Sequence, residues 1–266
     1  MKTPLFCVDA FTDVPFRGNP AAVCLLERAA TDYWMAAVAA EMNLSETAFV
    51  VAEGDGGFGL RWFTPRVEVD LCGHATLAAA HVLWEAGRVE PEAVIRFQTR
   101  SGELVCRRND GWIEMAFPSL KCEVAVAPAG LIEALGVVPV EVCRSRFDWL
   151  VAVATQEEVV AARPEMRLLA AVPTRGVILT ARSSDASFDF VSRFFGPAVG
   201  VDEDPVTGSA HCCLGVYWRR RLGCDSFIAR QLSARGGTVR VRLEGDRAIL
   251  GGQAVTVHRG ELLTMP

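Results

Sequence analysis

Apolar and polar positions alternate with two different periods along this chain. Short strand-type runs bounded by turn-formers fall at 6–8, 21–26, 46–52, 58–63, 94–98, 104–107 and 112–117. Farther on, the runs at 239–243 and 247–250 flank Glu244-Gly245-Asp246, which predicts a hairpin, and another run covers 254–258. Helical spacing occupies 31–42, entered through Thr31. It recurs over 155–163, where Thr155 and Glu158 form a T-x-x-E capping box ahead of Pro164. Two further helices open on glycine. The first, 73–87, is apolar on nearly every face and should be buried, with Gly87 suited to its C-terminal cap. The second, 208–221, ends in Arg219-Arg220-Arg221, facing the negative end of its dipole. Gly54, Gly56 and Gly59 have G-x-G-x-x-G spacing, but the segment that follows is a strand, so they predict a hairpin turn in place of a nucleotide loop.

The pattern occurs twice. Residues 61–70 (R-W-F-T-P-R-V-E-V-D) and 193–202 (R-F-F-G-P-A-V-G-V-D) are identical at six of ten positions, 132 residues apart. Gly73-His74-Ala75 and Gly208-Ser209-Ala210 follow at a spacing of 135, so the second copy carries three extra residues in the intervening loop. On this alignment the extra loop includes Asp204. In each copy a strand-like segment with alternating valines ends in an acidic residue, and a short loop then opens into the apolar helix. This predicts an α+β protein of two similar strand-rich domains, 1–120 and 121–266, with the final strand free to return to the first. Each domain should wrap its strands around a buried helix.

Composition narrows the function classes. Apolar residues make up 51% of the 266, enough for large cores and too many for a disordered chain. With 27 basic and 32 acidic residues the net charge is −5, so no nucleic-acid partner is expected. No apolar run reaches the roughly 20 residues a bilayer requires, and no signal-peptide pattern opens the sequence, so a cytoplasmic protein without a membrane partner is expected. Nine cysteines, none spaced C-x-x-C, predict reduced thiols, and four histidines without ligand-type spacing predict no metal site. The only lysines are Lys2 at the chain end and Lys121 after a Pro-Ser turn. An aldimine-forming cofactor needs a lysine in a pocket, so an enzyme built on this chain is expected to use no such cofactor.

The glycine-led helix starts are the candidate binding elements. First-turn amides and the helix dipole attract an anion, and Gly73, Ala75, Gly208, Ser209 and Ala210 let it come close. Tight helix packing is the competing explanation for the glycines. Proton-transfer groups stand beside both starts, Cys72 and His74 in one copy and Asp204 and Ser209 in the other. Each has a plain structural alternative: Cys72 as a small buried hydrophobe, His74 as a helix cap, Asp204 as a solvated acid. Glu46 opens an otherwise apolar strand. A carboxyl pressed against apolar neighbours has a raised pKa and can take and return a proton, whereas an exposed strand start would do neither.

The motifs D-A-F-T-D (9–13), G-N-P-A-A-V (18–23), N-L-S-E-T (43–47), L-C-G-H-A-T (71–76) and E-D-P-V-T-G-S-A-H (203–211), in this order, resemble the PhzF-like family of phenazine-biosynthesis-type isomerases. The resemblance runs from residue 6 to about 262. It implies a diaminopimelate epimerase-like fold: two pseudo-symmetric domains, each a β-barrel around a central helix, with the active site between them. It also implies cofactor-free proton transfer at carbon, with Glu46 as the acid/base. His74, Asp204 and Ser209 match the family's polar site residues, and Gly73 its substrate-binding backbone. In the founding activity one proton moves to shift a double bond of a dihydro-hydroxyanthranilate. A homodimer is expected from the family and fits the positive mean hydropathy. Related two-thiol epimerases carry a cysteine before each helix. Cys72 stands near the first such position, but the second offers Asp204 and Thr207, and Cys212 and Cys213 lie too far along the helix. Residues 230–237 depart from the Gln-Gly and Arg-Pro-Ser more usual in the family. The expected function is a cofactor-independent isomerase of a small carboxylate-bearing substrate, in which Glu46 moves the proton and Asp204 and His74 orient the substrate and share protons. An epimerase or racemase using Cys72 and a non-catalytic metabolite-binding protein are the alternatives.

Overall fold

The computed structural model describes residues 2–54 and 56–264. The chain divides into two compact units, Met1–Ala116 with Gly251–Pro266, and Phe117–Leu250. Among the described residues no helix is long and apolar enough to cross a membrane.

The first unit begins with β1 (Thr3–Ala10), β2 (Asn19–Leu26), α1 (Asp32–Met42), β3 (Glu46–Ala52), β4 (Phe58–Phe63) and the two-residue β5 (Glu68–Val69). It continues through α2 (Gly73–Glu85), β6 (Ile95–Thr99), β7 (Gly102–Asn109) and β8 (Trp112–Pro118). Strands β1 and β2 pair antiparallel, β2 and β3 parallel, β3 and β4 antiparallel, β4 and β6 parallel, and β6 and β7 antiparallel. Parallel neighbours cannot be joined by a tight turn, so each parallel pair is bridged by a helix, α1 and α2 respectively. Helix α1 starts at Thr31, whose hydroxyl accepts from the Trp34 amide at 3.3 Å, and stops at Asn43 in the left-handed conformation, φ 49°. Its Met35, Val38 and Ala39 close a core with Leu5, Phe49 and Phe63.

Helix α2 is buried on all sides: ten of its 13 residues are sequestered, Leu77, Val82 and Leu83 at 1% exposure or less. Each such side chain contributes about 1.5–3 kcal/mol by leaving water. The helix lies against β1, β2 and β3. It closes with paired reverse hydrogen bonds, Gly87 amide to Trp84 carbonyl and Arg88 amide to Leu83 carbonyl, which require the positive φ of Gly87 (64°).

The second unit repeats this plan with β9 (Cys122–Val124), α3 (Leu131–Leu135), β10 (Glu141–Ser145), β11 (Asp148–Ala152), α4 (Gln156–Ala161), α5 (Met166–Ala170) and β12 (Gly176–Arg182). Then come β13 (Phe190–Phe195), α6 (Gly208–Leu222), β14 (Ser226–Gln231), β15 (Gly237–Glu244) and β16 (Arg247–Gly252). From β10 the pairings run antiparallel, parallel, antiparallel, parallel, antiparallel, in the order found from β1 to β7. Helices α3 to α5 cover a core of Leu131, Val151, Val159, Leu169, Val177, Val191 and Phe195. The T-x-x-E box at Thr155 forms with both of its reciprocal bonds. Strand β17 (Ala254–Leu262) returns to the first unit and pairs antiparallel with β1 from Thr3↔Leu262 to Ala10↔Ala254.

The duplication differs from the sequence alignment in two respects. Arg61 of β4 faces Phe49, and Arg193 of β13 faces Leu179, so these arginines are true counterparts. Arg61 binds Glu68, however, whereas Arg193 binds Glu203. The three extra residues therefore precede Glu203, in a loop that contains the one-turn 3₁₀ helix at Pro197–Val199; Asp204 lies outside the insertion. The alternating valines form little strand either. Val67 and Val199 are about 60% exposed, because two residues of β5 and a single bridge at Gly196↔Val201 are all the pairing these segments make.

Candidate active site

Four of the expected site residues lie in the first unit. Asn43 terminates α1, and the turn after it delivers Glu46 as the first residue of β3, opposite Ala21 of β2. Cys72 is the N-cap of α2, with extended backbone, and Gly73 and His74 begin its first turn. The cap side chain makes no standard capping hydrogen bond to that turn. Glu46, Cys72 and His74 form one cluster. The His74 imidazole stands between the other two, Nδ1 at 3.5 Å from Cys72 Sγ and Nε2 at 3.1 Å from Glu46 Oε2. The latter contact is an ion pair without the alignment of a hydrogen bond, since the Nε2–H does not point along the line to the carboxylate.

The electrostatics of this cluster reverse one expectation. Burial by itself would raise the Glu46 carboxyl, as its apolar strand suggested. The His74 charge, aided by contacts with His74 and Cys72, more than offsets burial and holds it below its usual 4.5. Burial pulls the His74 imidazole down, yet the neighbouring Cys72 and Glu46 carry it well above its usual 6.5. The Cys72 thiol is raised by burial and then by Glu46, with His74 opposing only in part. The carboxyl is thus biased towards carboxylate, the imidazole towards imidazolium and the thiol towards its protonated form.

The same three side chains offer a carboxylate oxygen, a thiol sulfur and a ring nitrogen within 4.8 Å of one another. A metal ion would take one nitrogen, and here one ring nitrogen faces the thiol and the other the carboxylate. Coordination would break one of these contacts and require His74 neutral, so the arrangement suits a proton relay better than a chelate.

Asp204, Gly208 and Ser209 lie in the second unit, around the start of α6. Thr207 is its N-cap, at the position Cys72 holds in the first copy. Its hydroxyl donates to Asp204 Oδ2 in place of capping the helix. Gln231, fully buried at the end of β14, ties this loop together: its Nε2 donates to the Asp204 carbonyl at 2.7 Å and its Oε1 accepts from the Thr207 amide at 2.9 Å. Ser209 Oγ accepts from Arg175 Nη2 at 3.0 Å, and Arg175 in turn binds the buried carboxylate of Asp148. Cys212 and Cys213 are buried inside α6.

His211, one turn into α6, is wholly buried and holds the Thr207 carbonyl through Nδ1 at 2.8 Å. Burial depresses its pKa to about 4, so it stays neutral where the unfolded chain, at its usual 6.5, takes up a proton. Its effect on stability is nil above pH 6.5 and grows unfavourable as pH falls towards 4, reaching on the order of 3 kcal/mol. His211→Phe is expected to flatten this acid limb, as read by urea unfolding between pH 4 and 7; an unchanged limb would refute it.

A family model described as phenazine biosynthesis-like protein, PhzC-PhzF, matches residues 8–260. The chain belongs to the PhzF-like family. The curated relatives of this PhzF-like chain include an uncharacterised isomerase of Halalkalibacterium halodurans, 52% identical over 99% of both chains. A solved PhzF-family structure from Enterococcus faecalis superposes with a TM-score of 0.95 at 40% identity, covering 99% of this chain and 100% of that one. A probable proline racemase from Agrobacterium radiobacter shares the fold alone, with a TM-score of 0.65 at 14% identity over 99% of this chain and 94% of the other. The architecture is thus the diaminopimelate epimerase-like α+β fold, in two copies of a strand layer around a central helix.

Sequence reasoning passed over Arg175, Asp148 and Gln231. Gln231 falls in the stretch that departs from the usual PhzF-like pattern, and the glutamine itself is what fastens the Asp204 loop. Arg175 and Asp148 carry no motif; only strand pairing shows that they stand beside the start of α6.

Proposed function

We propose that the protein is a cofactor-independent isomerase that moves a proton between carbons of a small carboxylate-bearing substrate. The observation that carries this reading is the contact of Glu46 with His74, with Cys72 on the far ring nitrogen. Glu46 takes the proton as general base. The His74 charge that keeps Glu46 ionised also makes its protonated form a ready donor, so the proton is soon given back at another carbon. A base of lowered pKa needs an acidic C–H, which points to carbon activated by conjugation with a double bond or carboxylate. In the first unit the Gly73 backbone is the binding group and His74 orients the substrate and shares protons; in the second, Ser209 and the Gly208 backbone are the binding groups and Asp204 is the residue that orients and shares protons. The relative from Halalkalibacterium halodurans, named an isomerase, supports the class of reaction. An epimerase with one thiol on each helix is less well supported, because Thr207 occupies the counterpart of Cys72.

The test is deuterium uptake at carbon, followed by NMR in deuterated water with dihydro-hydroxyanthranilate and a panel of small carboxylic acids. Exchange or isomerisation that survives Cys72→Ser is expected. Exchange that disappears in Cys72→Ser would favour the epimerase, and binding without any exchange would favour a metabolite-binding protein.

The pH profile should be flat from about 4.5 to 6.5. Glu46 must be ionised and loses activity only as pH falls through its depressed value; His74 must be charged and loses its proton only well above 6.5. His74→Asn is expected to abolish the alkaline limb and move the acid limb upward, since burial then acts on Glu46 unopposed. An acid limb that stays in place would exclude the ion pair as its cause.

A further inference from the structure

The two copies have put the same slot to different uses. In the first, Glu46 lies opposite Ala21 and just before Thr47, which faces Phe63. In the second, Gly176 lies opposite Asp148 and just before Val177, which faces Phe195. Gly176 is therefore the counterpart of Glu46, Asp148 of Ala21, and Ser209, second residue of α6, of His74. No side chain fits at Gly176, where a Cβ would come within 2.2 Å of the Phe194 ring. The neighbouring Arg175 fills the polar role instead. Its Nε donates to Asp148 Oδ1 at 2.8 Å, its Nη2 to Asp148 Oδ2, and Nη2 also to Ser209 Oγ at 3.0 Å. The guanidinium lies 5.3 Å from the ring of Phe147 and 5.6 Å from that of Phe194. Asp148 is fully buried and its amide is held by Ser145 Oγ at 3.0 Å, so the anchor under Arg175 is fixed.

We propose that Arg175 is a positioning residue that fixes Ser209 as a hydrogen-bond donor to the carboxylate of the substrate. This rests on the reading above in which Ser209 touches substrate. A guanidinium has donors only, so Ser209 Oγ must accept from it. The hydroxyl has one hydrogen, which then points away from Arg175, and among the described residues no protein group accepts it. A ligand that takes the place of water at this half-buried hydroxyl therefore meets a donor and must offer an acceptor. The adjacent positive charge favours an anionic one, a carboxylate over an amide or amine. A lysine is a single point donor and cannot hold Asp148 and Ser209 in one plane. The duplicated slot thus serves proton transfer in one copy and anion selection in the other.

The test compares binding of 3-hydroxyanthranilate, the aromatic counterpart of the dihydro substrate, with binding of its carboxamide, by calorimetry on the full chain. Wild type is expected to prefer the carboxylate by about tenfold or more. Arg175→Met should lower carboxylate affinity by about tenfold and leave the carboxamide within about twofold, removing the preference. Arg175→Lys should recover part of it, and Ser209→Ala should weaken wild type but add little to Arg175→Met. A purely structural role would weaken both probes alike. An Arg175→Met protein that keeps the preference overturns the proposal, as does wild type that binds neither probe. If Arg175→Met does not fold, an undiminished preference in Arg175→Lys overturns it equally. Wild type that prefers the carboxylate yet exchanges no proton at carbon removes the isomerase reading and leaves this one in place.

Discussion

Glu46→Gln is expected to lower carbon proton exchange by about 10³-fold while substrate binding changes little. The amide keeps the size of the side chain and an oxygen towards His74, but it cannot accept a proton from carbon. The protein should remain folded. Glu46 is 18% exposed at its side chain, and His74, deprived of its counter-charge, can shed its proton instead of staying as an unpaired buried cation. The measurement is deuterium uptake under saturating substrate, with thermal unfolding alongside. A variant that retains more than a tenth of the wild-type rate would end the assignment of Glu46 as the base.

Arg193→Met is expected to lower stability by about 3–5 kcal/mol. Arg193 is 9% exposed, and its guanidinium makes four bonds: Nε and Nη2 to Glu203, at 2.7 and 2.9 Å, and Nη1 to the carbonyls of Val159 and Ala162. Truncation leaves a partly buried carboxylate and two carbonyls at the end of α4 without their donor. Arg61 provides the internal control. It also binds a glutamate and lies over a phenylalanine, but its side chain is 30% exposed and its second partner, Asp32, is 75% exposed. Arg61→Met should therefore cost about 1 kcal/mol. Urea unfolding of the two variants tests the contrast; equal effects would show that burial of the arginine does not set its contribution. Glu203 adjoins Asp204, so Arg193→Met should also loosen the loop that carries the proposed site.

What the sequence could reveal depended on distance along the chain. The duplication, the capping box at Thr155, the Gly87 cap and the buried α2 are all written in neighbouring residues, and all form. The protonation of Glu46 was not legible. Its strand is apolar and argues for a raised pKa, but the deciding charge comes from His74, 28 residues away, brought in by the start of α2. Arg175 and Ser209 are farther apart still, 34 residues, and Arg175 is anchored beside Ser209 by Asp148, which the parallel pairing of β11 and β12 brings to it. The misplaced insertion has a similar cause. Val199, Val201 and Asp202 repeat Val67, Val69 and Asp70 in letters, but the ion pair of each arginine is what fixes equivalence in space, and it points to Glu203.

The pairing of β1 with β17 has a consequence for how the protein is made. The first strand finds a neighbour of its own in the last, from Thr3↔Leu262 to Ala10↔Ala254. Until β17 is added the N-terminal sheet keeps the second edge of β1 open, whereas the unit spanning Phe117–Leu250 draws on one continuous stretch of chain. Folding should accordingly complete the second unit before the first. A premature stop just before residue 254 would spare the second unit and strand the first, with an unpaired edge at β1 ready to recruit another chain.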